Sequence, residues 1–305
     1  MTERVLILGG SGRFGRHASL AFQAKGWDVT HFDRKTDTLS QAAKGVDVIV
    51  NAWNPAYPDW AKQVPRLHRE VQDAALRNDC TVIIPGNVYV FGADTPAPWG
   101  PNTPHRAKNP LGRIRQDMEA SYRQRGVRTI ILRAGDFIDT QASGNWFDEI
   151  LTAKLKRGVF TYPGALDTPH AWAFLPDLAQ AAVQLAEKRA GLDRFTDVSF
   201  PGYTLTGKEL VRAIEAATGR TVKTKQMNWV PVLVLQPFWK MARHLVEMRY
   251  LWDTPHHLES EALTSIIGEM PQTPVAQAME TALADVKTTG SDRQSVGQRA
   301  VATSG

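Results

Sequence analysis

Cysteine is almost absent. Cys80 is the single one in 305 residues, which excludes a disulfide framework and suits a reducing cytoplasm. No stretch approaches the ~18 uninterrupted apolar residues of a membrane span. The apolar run Val5 to Leu8 is too short for a secretory leader and lacks a small-residue cleavage site before Gly9. Neither sign of charge dominates: 36 basic and 31 acidic residues leave a net +5, spread along the chain. That balance admits an anionic ligand and demands no nucleic acid. Metal-ligand spacings such as H-E-x-x-H and C-x-x-C are missing, and neither His256-His257 nor the scattered acids replace them, so no metal is expected. Internal repeats are not visible. With 43% hydrophobic and 22% charged residues, the composition is that of a folded chain. Its length suits about two structural units with a large core that needs no staples.

What is present is alternation. Short apolar runs at Val5 to Leu8, Asp28 to Phe32, Asp47 to Val50, Thr81 to Ile84 and Arg128 to Leu132 are separated by helical stretches. Strands of this length between helices pair in parallel, so the fold class is α/β with a Rossmann-type doubly wound sheet. Only residues 34–46 lie between the second run and the next. This leaves room for a helix or loop and one strand fewer than usual. Further on, Leu178 to Lys188 reads as a helix and Arg194 to Phe200 as a late strand of the same sheet. Thr206 and Glu209 form a capping box opening a helix that closes at Gly219. Phe238, Met241, Ala242, Leu245, Met248 and Trp252 recur at helical spacing after the proline-rich stretch 229–237. The mix of Trp, Leu, Arg and Lys over 229–252 would also suit contact with a membrane surface, but the prolines at 231 and 237 and the single narrow stripe favour a lobe-packing helix or lid. Residues 287–305 are polar without an apolar period and read as a disordered tail.

Directly after the first strand stands Gly9-Gly10-Ser11-Gly12-Arg13-Phe14-Gly15. Glycines at 9, 12 and 15 at a strand-to-helix turn let a pyrophosphate sit against backbone N–H groups at a helix N-terminus. Asp33, closing the second strand, is placed to accept the ribose hydroxyls of an adenosine. The alternative is a tight turn with no ligand. A phosphate-binding P-loop is excluded by Arg16 and His17, and a nucleophile elbow by Arg13.

With Val48-Ile49-Val50-Asn51-Ala52, Val88 to Gly92, Arg133 to Phe137, Phe174 to Ala179 and Leu205 to Leu210 added, residues 3–285 resemble the extended short-chain dehydrogenase/reductases of the NAD-dependent epimerase/dehydratase group. The resemblance implies a Rossmann domain over 1–137 plus about 174–200, and a small C-terminal substrate-binding lobe from about 138–173 and 201–285. It implies a dinucleotide held by Gly9, Gly12, Arg13, Phe14, Gly15, Asp33, Arg34, Asn51 and Ala52. NAD is favoured over NADP because the Asp33 carboxylate would face the extra phosphate, although Arg34 and Lys35 could turn inward to neutralise it. A small polar substrate, sugar-like or nucleotide-linked, is implied, and the reaction is that of an oxidoreductase or epimerase. A homodimer is compatible with this reading.

The resemblance fails at the catalytic pair. Where the family carries Tyr-x-x-x-Lys, the sequence has Leu111 and Arg115, and the family's Ser/Thr position is Asn87. Leucine moves no proton, so another group must supply the acid. Tyr89, two residues after Asn87, is expected to share its face in an extended segment, with a pKa lowered by Arg115; the alternative is a buried structural aromatic. Asn87 would orient a carbonyl, and Arg115 would keep the lysine's ribose contact or else lie on the solvated face that Arg113, Arg123, Arg125 and Arg128 share. Asp136, Asn145, His170 and Trp172 are candidate substrate contacts, each with a structural alternative. Cys80 reads as an inert buried thiol. A dinucleotide-sensing regulator without turnover is the alternative function.

Overall fold

The computed structural model describes residues 2–268 and 272–286. The chain opens with β1 (Arg4–Leu8), α1 (Arg13–Ala24), β2 (Asp28–His31), a one-turn α2 (Leu39–Ala42) and β3 (Val48–Asn51). Next come α3 (Trp60–Asn78), β4 (Thr81–Gly86), α4 (Pro110–Gln124), β5 (Thr129–Arg133) and β6 (Asp136–Ile138). Beyond these lie β7 (Val159–Tyr162), β8 (His170–Phe174), α5 (Leu175–Lys188), β9 (Phe195–Ser199) and β10 (Tyr203–Leu205). The rest is α6 (Gly207–Thr218), β11 (Lys223–Gln226), α7 (Val230–Leu235), α8 (Lys240–Glu247), α9 (Glu261–Ile267) and α10 (Val275–Ala282).

Six strands form one parallel sheet in the order β2-β1-β3-β4-β5-β9. Successive strand residues face opposite sides of a sheet, and both sides are covered here. Leu6, Leu8, Ile49, Val82, Ile84 and Ile131 pack against α3 and α4 through Val64, Val71, Leu111 and Met118. Val5, Ile7, Val48, Val50, Ile83 and Leu132 pack against α1 and α5 through Phe14, Phe22, Leu178 and Leu185. That two-sided burial explains why these strands read as continuous apolar runs.

The short interval 34–46 holds only α2, and β2 is the sheet edge. The edge strand is polar at both ends, with Asp28 and His31 exposed, which suits a strand facing water on one side. Residues 195–199 join β5 in parallel, as the late strand of the same sheet. The capping box forms as read: Thr206 caps α6 with Glu209 answering it, and Gly219 closes the helix at φ +67°.

A second body of structure is built on β10-β8-β6 and β11-β7, with its own core of Phe147, Phe160, Trp172, Phe174, Leu210 and Ile214. The apolar stripe expected over 238–252 is only partly a buried face. Ala242, Met248 and Trp252 are buried, whereas Phe238 is 88% exposed. Phe238 precedes α8, and after Glu247 the chain tightens into a separate turn over Met248–Trp252, so the stripe does not run as one α-helix. The polar stretch 287–305 lies outside the described residues.

Candidate active site

The chain order reverses between β1 and β3, since β2 lies on one side of β1 and β3 on the other. Ligands of open α/β sheets bind outside the carboxyl ends of the strands at such a switch point. The glycine-rich turn leaves β1 there. Gly9 has φ +75° and its carbonyl accepts the Gly12 N–H at 2.9 Å. A Cβ at Gly15 would lie 2.2 Å from the Gly9 oxygen, so only glycine lets α1 start this close to the turn. Gly12 differs: a Cβ there would meet only the Gly9 oxygen, at 3.1 Å, and the residue is exposed. The front of the turn is therefore open, with the first N–H groups of α1 facing it.

In front lies a cleft of about 820 Å³ lined by residues 9–11, 31–35 and Trp53. Phe32 meets the Trp53 ring edge-on at 5.4 Å, and the Arg34 guanidinium lies over it at 5.4 Å. Asp33 is exposed and accepts the Lys35 N–H at 2.9 Å through one carboxylate oxygen. The glycine turn, the carboxylate and the flat Trp53 wall fit a dinucleotide's pyrophosphate, ribose and base in that order. Other residues of the set offer less. The Phe14 side chain is buried in the core. Asn51 is buried, with its amide nitrogen 3.3 Å from His68 and its oxygen accepting the Trp53 N–H at 3.3 Å. The Ala52 carbonyl lies against Gly9. Arg13 reaches across to donate to the carbonyls of Ser143 (2.8 Å) and Gly144.

Tyr89 does not sit in an extended segment. After β4 the chain tightens into a single turn over Val88–Val90, capped by the Asn87 side chain, whose oxygen accepts the Tyr89 N–H at 3.1 Å. Tyr89 also has a phenol for a neighbour. Its hydroxyl is 2.6 Å from that of Tyr57, on the turn after β3. Nor is its pKa lowered: burial, then Tyr57 and Asp136, push it well above the ordinary phenol value. Burial, with Asp136 adding to it, raises Tyr57 above the ordinary phenol value, although the Tyr89 hydrogen bond, Arg13 and Arg115 favour its anion. Tyr57 is half-buried while Tyr89 is 9% exposed. Sequence reasoning missed Tyr57 because its only signal was a place shortly after the third apolar run.

Arg115 is not on the solvated face of α4. It is 5% exposed, donates to Asn54 Oδ1 at 2.8 Å and lies 4.2 Å over the Trp60 ring. Burial lowers its pKa from the usual arginine value. Leu111 is fully buried, with its N–H donating to Glu247 at 2.6 Å.

Opposite the phenols, Asp136 at the start of β6 meets His170 Nε2 at 2.8 Å. His170 is 1% exposed and stacks on Trp252 with centroids 4.5 Å apart, beside His256. Burial, with His170 adding to it, takes the His256 pKa down to about 3. Trp172 is fully buried in the second core, so its ring packs the lobe instead of facing the cleft. Asn145 caps the following turn: its N–H donates to Asp148 at 2.7 Å and its oxygen accepts the Asp148 N–H at 3.2 Å.

Two further clusters went unread in the sequence. Arg16 and His17 of α1 both bind Asp139, at 2.7 and 2.8 Å, tying the glycine turn to the strand that carries Asp136. Burial would raise the Asp139 carboxyl, yet the bonds from His17, Ser143 and Arg16 hold it well below its usual value. Arg133 is fully buried between Glu119 and Asp197. His105 approaches this cluster, but its two carboxylates are organised round the guanidinium. Cys80 is buried, and burial followed by Asp47 and Asp79 raises its thiol to about 11.

No protein-family profile matches the chain, and no curated protein matches it in sequence. Solved structures do. UDP-glucose 4-epimerase from Stenotrophomonas maltophila, solved with bound NAD and formylated UDP-arabinopyranose, superposes with a TM-score of 0.74 at 14% identity, over 95% of this chain and 99% of that one. UDP-glucose 4-epimerase from Brucella ovis, in complex with NAD, gives 0.71 at 17% identity over 94% and 99%. The enzyme of the same activity from Bifidobacterium longum, with NAD+ and UDP, gives 0.70 at 14% over 94% and 98%. The fold is thus the Rossmann-type fold of these epimerases.

Proposed function

We propose that this chain is an NAD-dependent enzyme acting on a nucleotide-linked sugar, moving hydride between a sugar carbon and a dinucleotide bound along the glycine-rich turn. The observation that carries the reading is the Tyr57–Tyr89 pair, 2.6 Å apart, beyond the glycine turn, on the turns after β3 and β4. The dinucleotide, when bound, supplies hydride acceptance and donation. The chain's own residues must give and take the hydroxyl proton. Tyr57 is the better acid of the two: burial and Asp136 raise it, but the Tyr89 hydrogen bond, Arg13 and Arg115 favour its anion, whereas Tyr89 is pushed well above the ordinary phenol value. Tyr89 is then the positioning partner, and Asn87 holds Tyr89 through its backbone. Asp136, whose charge reaches both phenols and which His170 holds at 2.8 Å, would orient a sugar hydroxyl from the second body of structure. UDP and a formylated UDP-arabinopyranose appear in the names of two of the similar enzymes, which supports this substrate class.

NAD is favoured over NADP because Asp33 keeps one carboxylate oxygen unengaged by Lys35 for the ribose hydroxyls. Calorimetric titration with both dinucleotides tests that, and tighter NADP binding overturns it. Incubating the NAD-loaded protein with a panel of nucleoside-diphosphate hexoses, followed by absorbance of reduced nicotinamide and chromatography of the sugars, tests the activity. NAD binding without any conversion would leave a dinucleotide-binding regulator instead.

A further inference from the structure

Eight large hydrophobic side chains are exposed among the described residues, and six of them come from one stretch: Val230, Leu233, Val234, Leu235, Phe238 and Trp239. Val234 is 66% exposed and Phe238 88%. Contiguous apolar surface of this kind marks an interaction site. The knuckle is also held firmly from below. Trp229 is buried and donates to the Pro163 carbonyl at 2.8 Å, Ala242 is fully buried, and Arg243 donates to the Gln236 carbonyl at 3.1 Å. Its apolar side therefore points outward by construction, not because a helix has frayed.

The charge that flanks it along the sequence is of one sign. From Glu215 to Glu247 the sequence contains no acidic residue, and it carries Arg220, Lys223, Lys225, Lys240 and Arg243. Lys240 follows Trp239 directly and is exposed. Apolar and aromatic side chains rimmed by cations are what inserts at the boundary of acyl chains and anionic headgroups. We infer that the α7–Trp239 knuckle docks on the surface of an anionic lipid bilayer. The attachment is peripheral, since no helix of the described residues is long and apolar enough to cross a membrane. Two other occupants fit worse. Residues 287–305 offer only two valines and two alanines as aliphatic cover. A second copy would bring a like-charged rim against this one. From the knuckle the chain runs into α8, whose His244 ring lies 6.3 Å from that of Tyr57, so the docked edge adjoins the candidate active site.

The test is co-sedimentation of the full chain with phosphatidylcholine vesicles, with and without about one third phosphatidylglycerol. The expected result is binding to the anionic vesicles alone, weakened by salt. The pair Val234→Asp and Phe238→Asp should reduce the bound fraction at least about tenfold, and separately Lys240→Glu should reduce it about fivefold, with thermal midpoint unchanged because Val234, Phe238 and Lys240 are exposed. Absence of binding to anionic vesicles, or binding that neither variant reduces, overturns the inference. So does self-association without vesicles that the same substitutions abolish, which would assign the knuckle to a second copy.

Discussion

The hydroxyls of Tyr57 and Tyr89 lie 2.6 Å apart, joining a half-buried phenol on the turn after β3 to a buried one on the turn after β4. Two phenols at this distance share one hydrogen bond, so removing either hydroxyl changes the other. Tyr57→Phe is expected to lower turnover about 10²-fold or more, the scale of a lost general acid, with NAD affinity unmoved. Tyr89→Phe should cost less in rate and shift the alkaline limb of the pH–rate profile upward, since the Tyr57 anion loses a donor. Full activity of Tyr57→Phe on an identified substrate would remove the pair from the mechanism.

The glycines of the turn separate binding from folding. Gly12→Val meets one protein atom and an open front, so the protein should fold normally yet bind dinucleotide at least about tenfold more weakly. Gly15→Ala pushes a methyl onto the Gly9 carbonyl and should lower stability by about 1–3 kcal/mol. Calorimetry and urea unfolding on both variants distinguish the two effects. Unchanged affinity in Gly12→Val would take the dinucleotide away from this turn.

Two buried histidines make stability depend on pH. His68 is taken from 6.5 to about 3 by burial and then by Arg115, and His256 to a similar value by burial and then by His170. Between about pH 6.5 and about pH 3 the unfolded chain binds protons at these sites that the folded chain refuses. Their contribution is therefore complete above about pH 6.5 and declines as pH falls, by up to ~1.4 kcal/mol per pH unit for each histidine. Urea midpoints at about pH 7 and about pH 5 should differ in that direction, and His68→Gln should flatten the slope. A midpoint that holds constant across this interval contradicts the assignment.

Arg133 is an interior cation with two interior carboxylates. Burial disfavours its charge, yet Glu119 and Asp197 raise its pKa above that of a free arginine. Arg133→Met leaves both carboxylates unpaired and should cost about 3–5 kcal/mol. Adding Glu119→Gln and Asp197→Asn should recover part of that loss, which chemical denaturation of the single and triple variants will show.

The first strand, the glycine turn and α1 were legible because each is decided by contacts a few residues apart: an apolar run buried on both faces, a turn that only glycine can make, a helix that starts from it. The same local reach made the interval 34–46 too short for a further strand, and placed the capping box of Thr206 and Glu209. The candidate active site has no such reach. Tyr57, Tyr89, Arg115 and Asp136 come from separate elements, brought together because β3, β4 and β5 end on the same side of a parallel sheet and α4 packs against it. Whether Asn87 and Tyr89 continued as strand or tightened into a turn, and whether Arg115 faced water or the Trp60 ring, depended on neighbours distant in sequence. The exposure of Phe238 was hidden likewise, since helical spacing tells which side chains share a face but not whether anything covers that face. Periodicity and turn chemistry act along the chain, whereas burial and proton affinity arise from what the fold sets opposite each residue.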